Sequence, residues 1–150
     1  QKADEYRALK SEVDQIDAGL KRLSNLKAAA QDAIERVDLD EVEELLSRVQ
    51  EVELEEAAKT AELRANNALL RGKVEQAYVL LNAAADSFAA VDPNEPAIRE
   101  LRYEDQLYQH GLRYSGDGMA YSEQMIRDAI SQIDVEKSPE LWSSAQIASP

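Results

Sequence analysis

The chain has 150 residues, of which 44% are hydrophobic, and it carries a formal net charge of −13 with no cysteine. It is long enough for a folded domain with a moderate core, and the missing cysteines exclude disulfides and thiolate metal sites. The negative charge repels phosphate backbones and anionic lipid, so we expect neither a nucleic-acid partner nor a membrane partner.

The composition also limits the fold class and the location. Only 5 Gly and 4 Pro are present, which is too few for the many turns of an all-β protein and favours long helices. No apolar run approaches the ~20 residues that span a bilayer, and no signal peptide is seen. Gln1 is not a natural start, so we expect a fragment whose targeting signals were removed. The compartment therefore stays open, with the cytoplasm favoured.

The first segment shows the spacing of a helical seam and predicts one long helix over about residues 3–37. The seam either packs against the next helix of the same chain or pairs with a second copy in a homodimer. We favour the hairpin, because fewer than three strict heptads are short for an independent coiled coil. The seam consists of Tyr6, Leu9, Val13, Ile16, Leu20 and Leu23.

Charge and capping mark the start of a second helix. Residues 31–63 carry three basic and twelve acidic side chains, whereas residues 1–30 carry six and five. Asp40 followed by Glu43 resembles an N-cap with a carboxylate three positions later. No Gly or Pro occurs between Asp40 and Gly72, but the sequence leaves open whether one helix runs unbroken to Arg71,.

Glycine and proline divide the second half into three further helices, predicted over residues 74–91, 97–114 and 119–133. Asp92–Pro96 separates the first two of these helices, and Ser115–Gly118 separates the last two. A loop over Asp134–Pro139 and an unfinished element at Leu141 and Trp142 follow. Two helices, a glycine turn and a proline loop recur at a spacing of 46 positions, both from Gly72 to Gly118 and from Pro93 to Pro139. Such a period is typical of stacked helical repeats.

Over residues 58–150 the pattern resembles the tetratricopeptide repeat (TPR) family. The small and large residues of that family's signature recur in two units, although Ala61 stands where a bulky residue is expected and the first unit's second helix is about one turn longer than the family's. Trp142 would begin a truncated third unit. The matching positions are Ala65, Gly72, Ala77, Leu81, Ala84 and Pro93 in the first unit, and Leu107, Gly111, Tyr114, Gly118, Ser122, Ile126, Ala129 and Pro139 in the second.

The expected fold is therefore all-α. A long N-terminal helix and hairpin segment, residues 1–57, precedes antiparallel hairpins stacked as a short TPR-like solenoid, residues 58–150. The resemblance implies a scaffold that binds a peptide or helix of a partner protein through a groove. Carried onto this chain, that groove comprises Lys59, Glu62, Asn66, Leu69, Asp105, Tyr108 and Leu112.

A structural module that forms homo-oligomers or spaces other domains is the alternative. It would pair through the N-terminal helix or through the open C-terminal end.

No catalytic, cofactor or metal motif emerges from the sequence. His110 is the sole histidine, and Leu107 stands three residues before it, where helical di-iron sites place Glu,. Phosphate-binding glycine loops and nucleophile elbows are missing from the sequence. We therefore expect a binding protein that needs no cofactor rather than an enzyme.

Overall fold

A computed structural model describes residues 2–133, and every regular element within them is a helix. The all-α prediction is therefore confirmed for this part of the chain. The loop over Asp134–Pro139 and the expected third unit at Trp142 lie outside the described residues. The elements are α1 (Lys2–Glu35), α2 (Leu39–Leu70), α3 (Val74–Asp86), a 3₁₀ helix (Ser87–Ala90), α4 (Glu95–Tyr114) and α5 (Gly118–Gln132).

The chain divides into two compact units, Gln1–Leu63 and Arg64–Pro150, and the division falls inside α2. The N-terminal unit contains α1 and the first part of α2. The C-terminal unit contains the last turns of α2 with α3, the 3₁₀ helix, α4 and α5. Each unit is described separately below.

In the N-terminal unit, α1 and α2 lie side by side and antiparallel. Gly19 of α1 faces Glu56 of α2, where any Cβ at Gly19 would collide with the carboxylate. Farther along α1, Leu26 shares a shallow cavity with Arg48. The covered positions of α1 alternate in steps of three and four residues. They are Ile16, Gly19, Leu23, Leu26, Ala30 and Ala33.

Small residues determine which face of α1 packs. Gly19, Ala30 and Ala33 are buried because α2 can approach closely where side chains are short,. The predicted seam of large apolar residues is consequently buried only in part. Two of its members, Ile16 and Leu23, are partly buried, whereas Val13 and Leu20 are exposed.

Two helix ends share one backbone motif but use different residues for it. At the end of α2, Gly72 has φ +75°, and the amide of Lys73 donates to the carbonyl of Ala68 at 2.8 Å. At the end of α1, Val37 has φ +57°, and the amide of Asp38 donates to the carbonyl of Ala33 at 3.0 Å. Both are Schellman ends, in which the left-handed residue is ordinarily glycine. A β-branched residue there is strained.

The residue that caps α2 differs from the predicted one. The helix begins at Leu39, and the carboxylate of Asp38 accepts a hydrogen bond from the amide of Glu41 at 3.2 Å. Asp38 is therefore the residue that caps α2, and the inference that Asp40 does so is wrong. The helix then continues unbroken to Leu70, which answers the question left open by the sequence.

In the C-terminal unit, two glycines bring α4 and α5 together. A Cβ at Gly118 would lie 2.5 Å from the carbonyl oxygen of Leu107 and 2.6 Å from the amide nitrogen of Gly111. A Cβ at Gly111 would lie 2.6 Å from the amide nitrogen of Met119. Because no side chain fits between the two backbones, these glycines hold the hairpin closed.

The core of this unit alternates large and small side chains. Leu81, Leu107 and Met125 are its largest fully buried apolar residues. Phe88 of the 3₁₀ helix is also buried, and the guanidinium carbon of Arg99 lies 3.5 Å from its ring centroid,. The small residues buried beside them are Ala65, Ala68, Ala77, Ala85, Ala97 and Ala129.

The predicted helix bounds differ from the observed ones for identifiable reasons. The helix predicted to reach Val91 ends at Asp86 and continues as the 3₁₀ helix. Its neighbour α4 begins at Glu95, earlier than expected, because proline is tolerated in the first turn and Pro96 lies there,.

Candidate partner-binding face

The exposed side of α4 carries apolar residues where a surface helix ordinarily carries polar ones. Ile98, Tyr108 and Leu112 are exposed, and Leu112 retains 57% of its accessible surface. With Leu101 and Asp105 they form a row spaced by alternate steps of three and four, so they share one side of the helix. We call Ile98, Leu101, Asp105, Tyr108 and Leu112 the α4 row.

The α4 row is held in place by the opposite side of the helix. Tyr103, Leu107 and Gly111 are buried there, and Leu107 is fully covered. Leu101 packs partly against the small cluster of Ala97, Ala129 and Ile133. The row is therefore presented on a helix whose rotation is determined by a packed core.

Two polar contacts join α4 to the last turns of α2. The side-chain amide nitrogen of Gln106 donates to the side-chain oxygen Oδ1 of Asn66. Nε2 of His110 lies 3.1 Å from the carbonyl oxygen of Leu69. Since a carbonyl only accepts, this nitrogen must carry the proton, which leaves Nδ1 buried without a hydrogen-bond partner in the described part of the chain,. His110 also packs against Tyr114, with ring centroids 4.8 Å apart.

The groove residues inferred from the TPR resemblance fall in both units. Lys59 and Glu62 belong to the N-terminal unit, where Lys59 forms an ion pair with Glu56 at 3.0 Å. In the C-terminal unit Leu69 is buried and the oxygen of Asn66 is occupied by Gln106. Three of the seven residues are exposed on the α4 row: Asp105, Tyr108 and Leu112.

The residues of the predicted oligomer seam lie along α1, in the N-terminal unit. Val13 and Leu20 are exposed and seven positions apart on one side of the helix. Ile16 and Leu23 lie on the row that packs towards α2. Leu9 belongs to the same helix. Among the seam residues whose side chains the structure describes, Val13 and Leu20 are the ones exposed to a second copy.

The sequence did not indicate an acidic cluster where α3, α4 and α5 meet, in which Glu100 is buried, Asp128 is half-buried and Asp86 is exposed. Glu100 of α4 is 0% exposed, and its Oε1 accepts a hydrogen bond from the amide of Gln132 at 3.1 Å. Its Oε2 receives no donor from the described residues. Asp86 lies close enough for a protonated Glu100 to form a hydrogen bond with it. Asp128 is the third carboxylate of this cluster.

Burial is the main cause of an unusual pKa at Glu100. It raises the pKa of this carboxyl from 4.5 to about 8,. The hydrogen bond from Gln132 lowers the pKa, whereas the charges of Asp86 and Asp128 raise it further. Glu100 is therefore a neutral acid at pH 7.

Tyr78 connects α3 to α5 within the same cluster. Its hydroxyl donates to Asp128 at 2.5 Å, and its ring packs against Tyr121 with centroids 5.1 Å apart. Burial, followed by the hydrogen bond to Asp128, raises the pKa of Tyr78 well above its usual value. The cluster thus joins three helices through two neutral donors, Glu100 and Tyr78, and two carboxylate acceptors, Asp86 and Asp128,.

Residues 2–133 contain no group of three or more His, Asp or Glu side chains placed to bind a metal ion. Among the same residues, no helix combines the length and apolar character required to cross a bilayer. Comparison with protein-family models, with curated proteins and with solved structures finds no significant match to this chain.

Proposed function

We propose that the chain is a non-enzymatic protein-interaction module and that its C-terminal unit binds a peptide or helix of a partner protein. The α4 row carries this proposal. An apolar row presented on a packed helix offers anchoring sites for alternate side chains of a bound segment. Asp105 interrupts the row and supplies a polar group that would determine the register of the bound segment.

Hairpin stacking of the TPR kind is part of the proposal. The turn at Gly72 connects the end of α2 to α3, which would form one hairpin, and α4 with α5 form a hairpin closed by Gly111 and Gly118. Small residues at the helix crossings favour such close packing. In an arrangement of this kind, α2 and α4 would line the binding side, where Gln106 already contacts Asn66.

A protein partner fits the electrostatics better than the other classes of macromolecule. With a net charge of −13, the chain repels nucleic acid and anionic lipid surfaces. The binding face itself has mixed charge, since Arg102 and Asp105 are both exposed on α4. We therefore propose a ligand segment with apolar anchors and at least one basic side chain opposite Asp105.

Peptide selection followed by affinity measurement tests this proposal. Peptides would be selected from a displayed random library against the whole chain, and their affinities measured by fluorescence anisotropy. The double substitution Tyr108→Ala and Leu112→Ser should weaken binding at least tenfold. Val79→Ser, which changes an exposed apolar residue on α3, is the matched control and should leave the affinity unchanged. Selected peptides that bind both variants equally well would contradict the proposal.

Homo-oligomerisation through α1 is the second candidate, because Val13 and Leu20 are exposed on one side of that helix. Residues 1–30 are nearly neutral, with six basic and five acidic side chains, so two copies would repel each other little there. Sedimentation equilibrium would show a dimer that dissociates in Val13→Ser with Leu20→Ser. A monomer at all concentrations would exclude this candidate. Ile16 and Leu23 are unsuitable for the test because they are partly buried within the hairpin.

A further inference from the structure

The turn between α1 and α2 exposes large apolar side chains at the tip of the N-terminal hairpin. Val37 and Leu39 retain 72% and 69% of their accessible surface, and Ile34 and Leu46 are also exposed. Leu39 and Leu46 lie seven residues apart, on one side of α2. We call Ile34, Val37, Leu39 and Leu46 the tip patch.

The tip patch is unusual because hairpin turns ordinarily expose polar residues. The same left-handed position is occupied by Gly72 at the next helix end, whereas here the chain holds a valine at φ +57°. Val37 therefore adds apolar surface at a position where glycine would relieve strain.

Acidic residues surround the tip patch. Between residues 32 and 44 there are seven acidic side chains and one basic one, Arg36. Arg36 is already engaged, with nitrogen–oxygen distances of 3.0 Å to Asp32 and 2.8 Å to Glu41. Asp40 and Glu43 are exposed beside Leu39. An apolar centre with an acidic rim is complementary to an apolar stripe flanked by Lys or Arg.

From this arrangement we infer that the tip patch docks a basic amphipathic helix of a partner protein. The apolar face of that helix packs on Val37 and Leu39, and its flanking Lys and Arg side chains pair with Asp40 and Glu43. A second copy of this chain is a poor occupant, because two acidic tips would repel each other. This inference concerns the N-terminal unit and does not depend on the function proposed for the α4 row.

A designed peptide tests the inference directly. The probe is a labelled 18-residue helix of Leu and Lys with one apolar face, and its control has the same composition scrambled to remove that face. We expect the chain to bind the amphipathic probe at least tenfold more tightly than the scrambled one in fluorescence anisotropy at 0.15 M salt. Equal affinities would overturn the inference, because they would show attraction by charge alone.

Matched variants of the chain locate the binding surface. Val37→Gly with Leu39→Ser should abolish the preference for the amphipathic probe, and circular dichroism should show the helical content of the parent. Val79→Ser with Val91→Ser removes exposed apolar surface elsewhere and should retain the preference. The inference fails if the first pair binds like the parent, or if both pairs lose the preference equally.

Two other occupants of the tip patch are distinguishable. Dimerisation that disappears in Val37→Gly with Leu39→Ser would assign the patch to a second copy and overturn the inference. Co-sedimentation with phosphatidylcholine vesicles that requires the same residues would assign it to lipid, with the same consequence. A monomer that ignores the vesicles and discriminates between the two peptides supports the inference.

Discussion

Replacing Glu100 by Gln removes the one buried carboxyl of the acidic cluster and keeps the shape of the side chain. The amide oxygen of Gln can still accept from Gln132, and its nitrogen can donate to Asp86, as the protonated carboxyl does,. The substitution therefore mimics the state of Glu100 that the folded chain favours. Its effect on stability should depend on pH in a way that can be calculated.

The sign of the effect follows from proton binding. The folded state has a pKa of about 8 at Glu100 against an ordinary value of 4.5, so between these values it holds a proton that the unfolded chain has released. The contribution of Glu100 to the free energy of unfolding is therefore complete below pH 4.5 and declines as the pH rises towards 8. At about 1.4 kcal/mol per pKa unit, the loss is about 1 kcal/mol at pH 5 and about 3 kcal/mol at pH 7.

Urea denaturation of the parent and of Glu100→Gln at several pH values measures this difference. We expect the variant to be more stable by about 3 kcal/mol at pH 7, with the advantage falling to about 1 kcal/mol at pH 5. Glu123→Gln, on the surface of α5, should follow the pH dependence of the parent. If the free energies of unfolding of the parent and of Glu100→Gln differ by the same amount at every pH from 5 to 8, the reasoning about the buried carboxyl is wrong.

Two further predictions concern backbone geometry and can be checked by thermal and urea denaturation. Gly118→Ala should destabilise the chain by about 2 kcal/mol or more, because its Cβ would lie 2.5 Å from the carbonyl oxygen of Leu107,. Gly116→Ala meets no atom within 4 Å and should cost less than about 1 kcal/mol; equal losses would refute the close approach of the two helices. Val37→Gly should raise the free energy of unfolding by up to about 1 kcal/mol, since relief of left-handed strain exceeds the added entropy of the unfolded chain. Gly72→Val, the reverse change in the same motif, should lower it by about 1 kcal/mol or more, and a loss of stability in Val37→Gly would contradict the assignment of strain.

The helices could be predicted from the sequence because their ends coincide with strong local signals. A helix ends near each of three such signals, because glycine and proline disfavour a helix within a few residues of their own position. The signals are Gly72, Pro93 and the turn Ser115–Gly118. The end of α1 at Glu35 has no such signal, because Val37 takes a conformation ordinarily left to glycine. Valine carries no sequence signal for the left-handed turn that closes this helix.

The packed faces were harder to predict because small residues determine them. The spacing of large apolar residues pointed to Val13 and Leu20, yet the buried residues in the described part of α1 are Gly19, Ala30 and Ala33. Burial of Glu100 was equally hidden, since a carboxylate on a helix ordinarily faces solvent. The available signal was the position of Glu100 in the helix. It lies four residues after Pro96 and seven before Leu107, on the buried side of α4.

Side-chain pairing at the candidate site does not follow from helix spacing. The TPR resemblance named Tyr108 and Leu112 as groove residues, and the structure places both on the exposed α4 row. The sequence does not show that Gln106 donates to the side-chain oxygen of Asn66 or that Leu69 is buried. Both depend on how α4 packs against the end of α2. Such contacts require knowledge of the rotation of both helices.

Methyl-labelled NMR titration with a library-selected peptide tests the central proposal most directly. If the α4 row is the binding face, the methyl signals of Ile98 and Leu112 should shift in proportion to saturation, while those of Val79 and Val91 stay in place. Shifts confined to Val13 and Leu20 on α1, or saturation without any change at Ile98 and Leu112, would contradict the proposal that this face binds the partner.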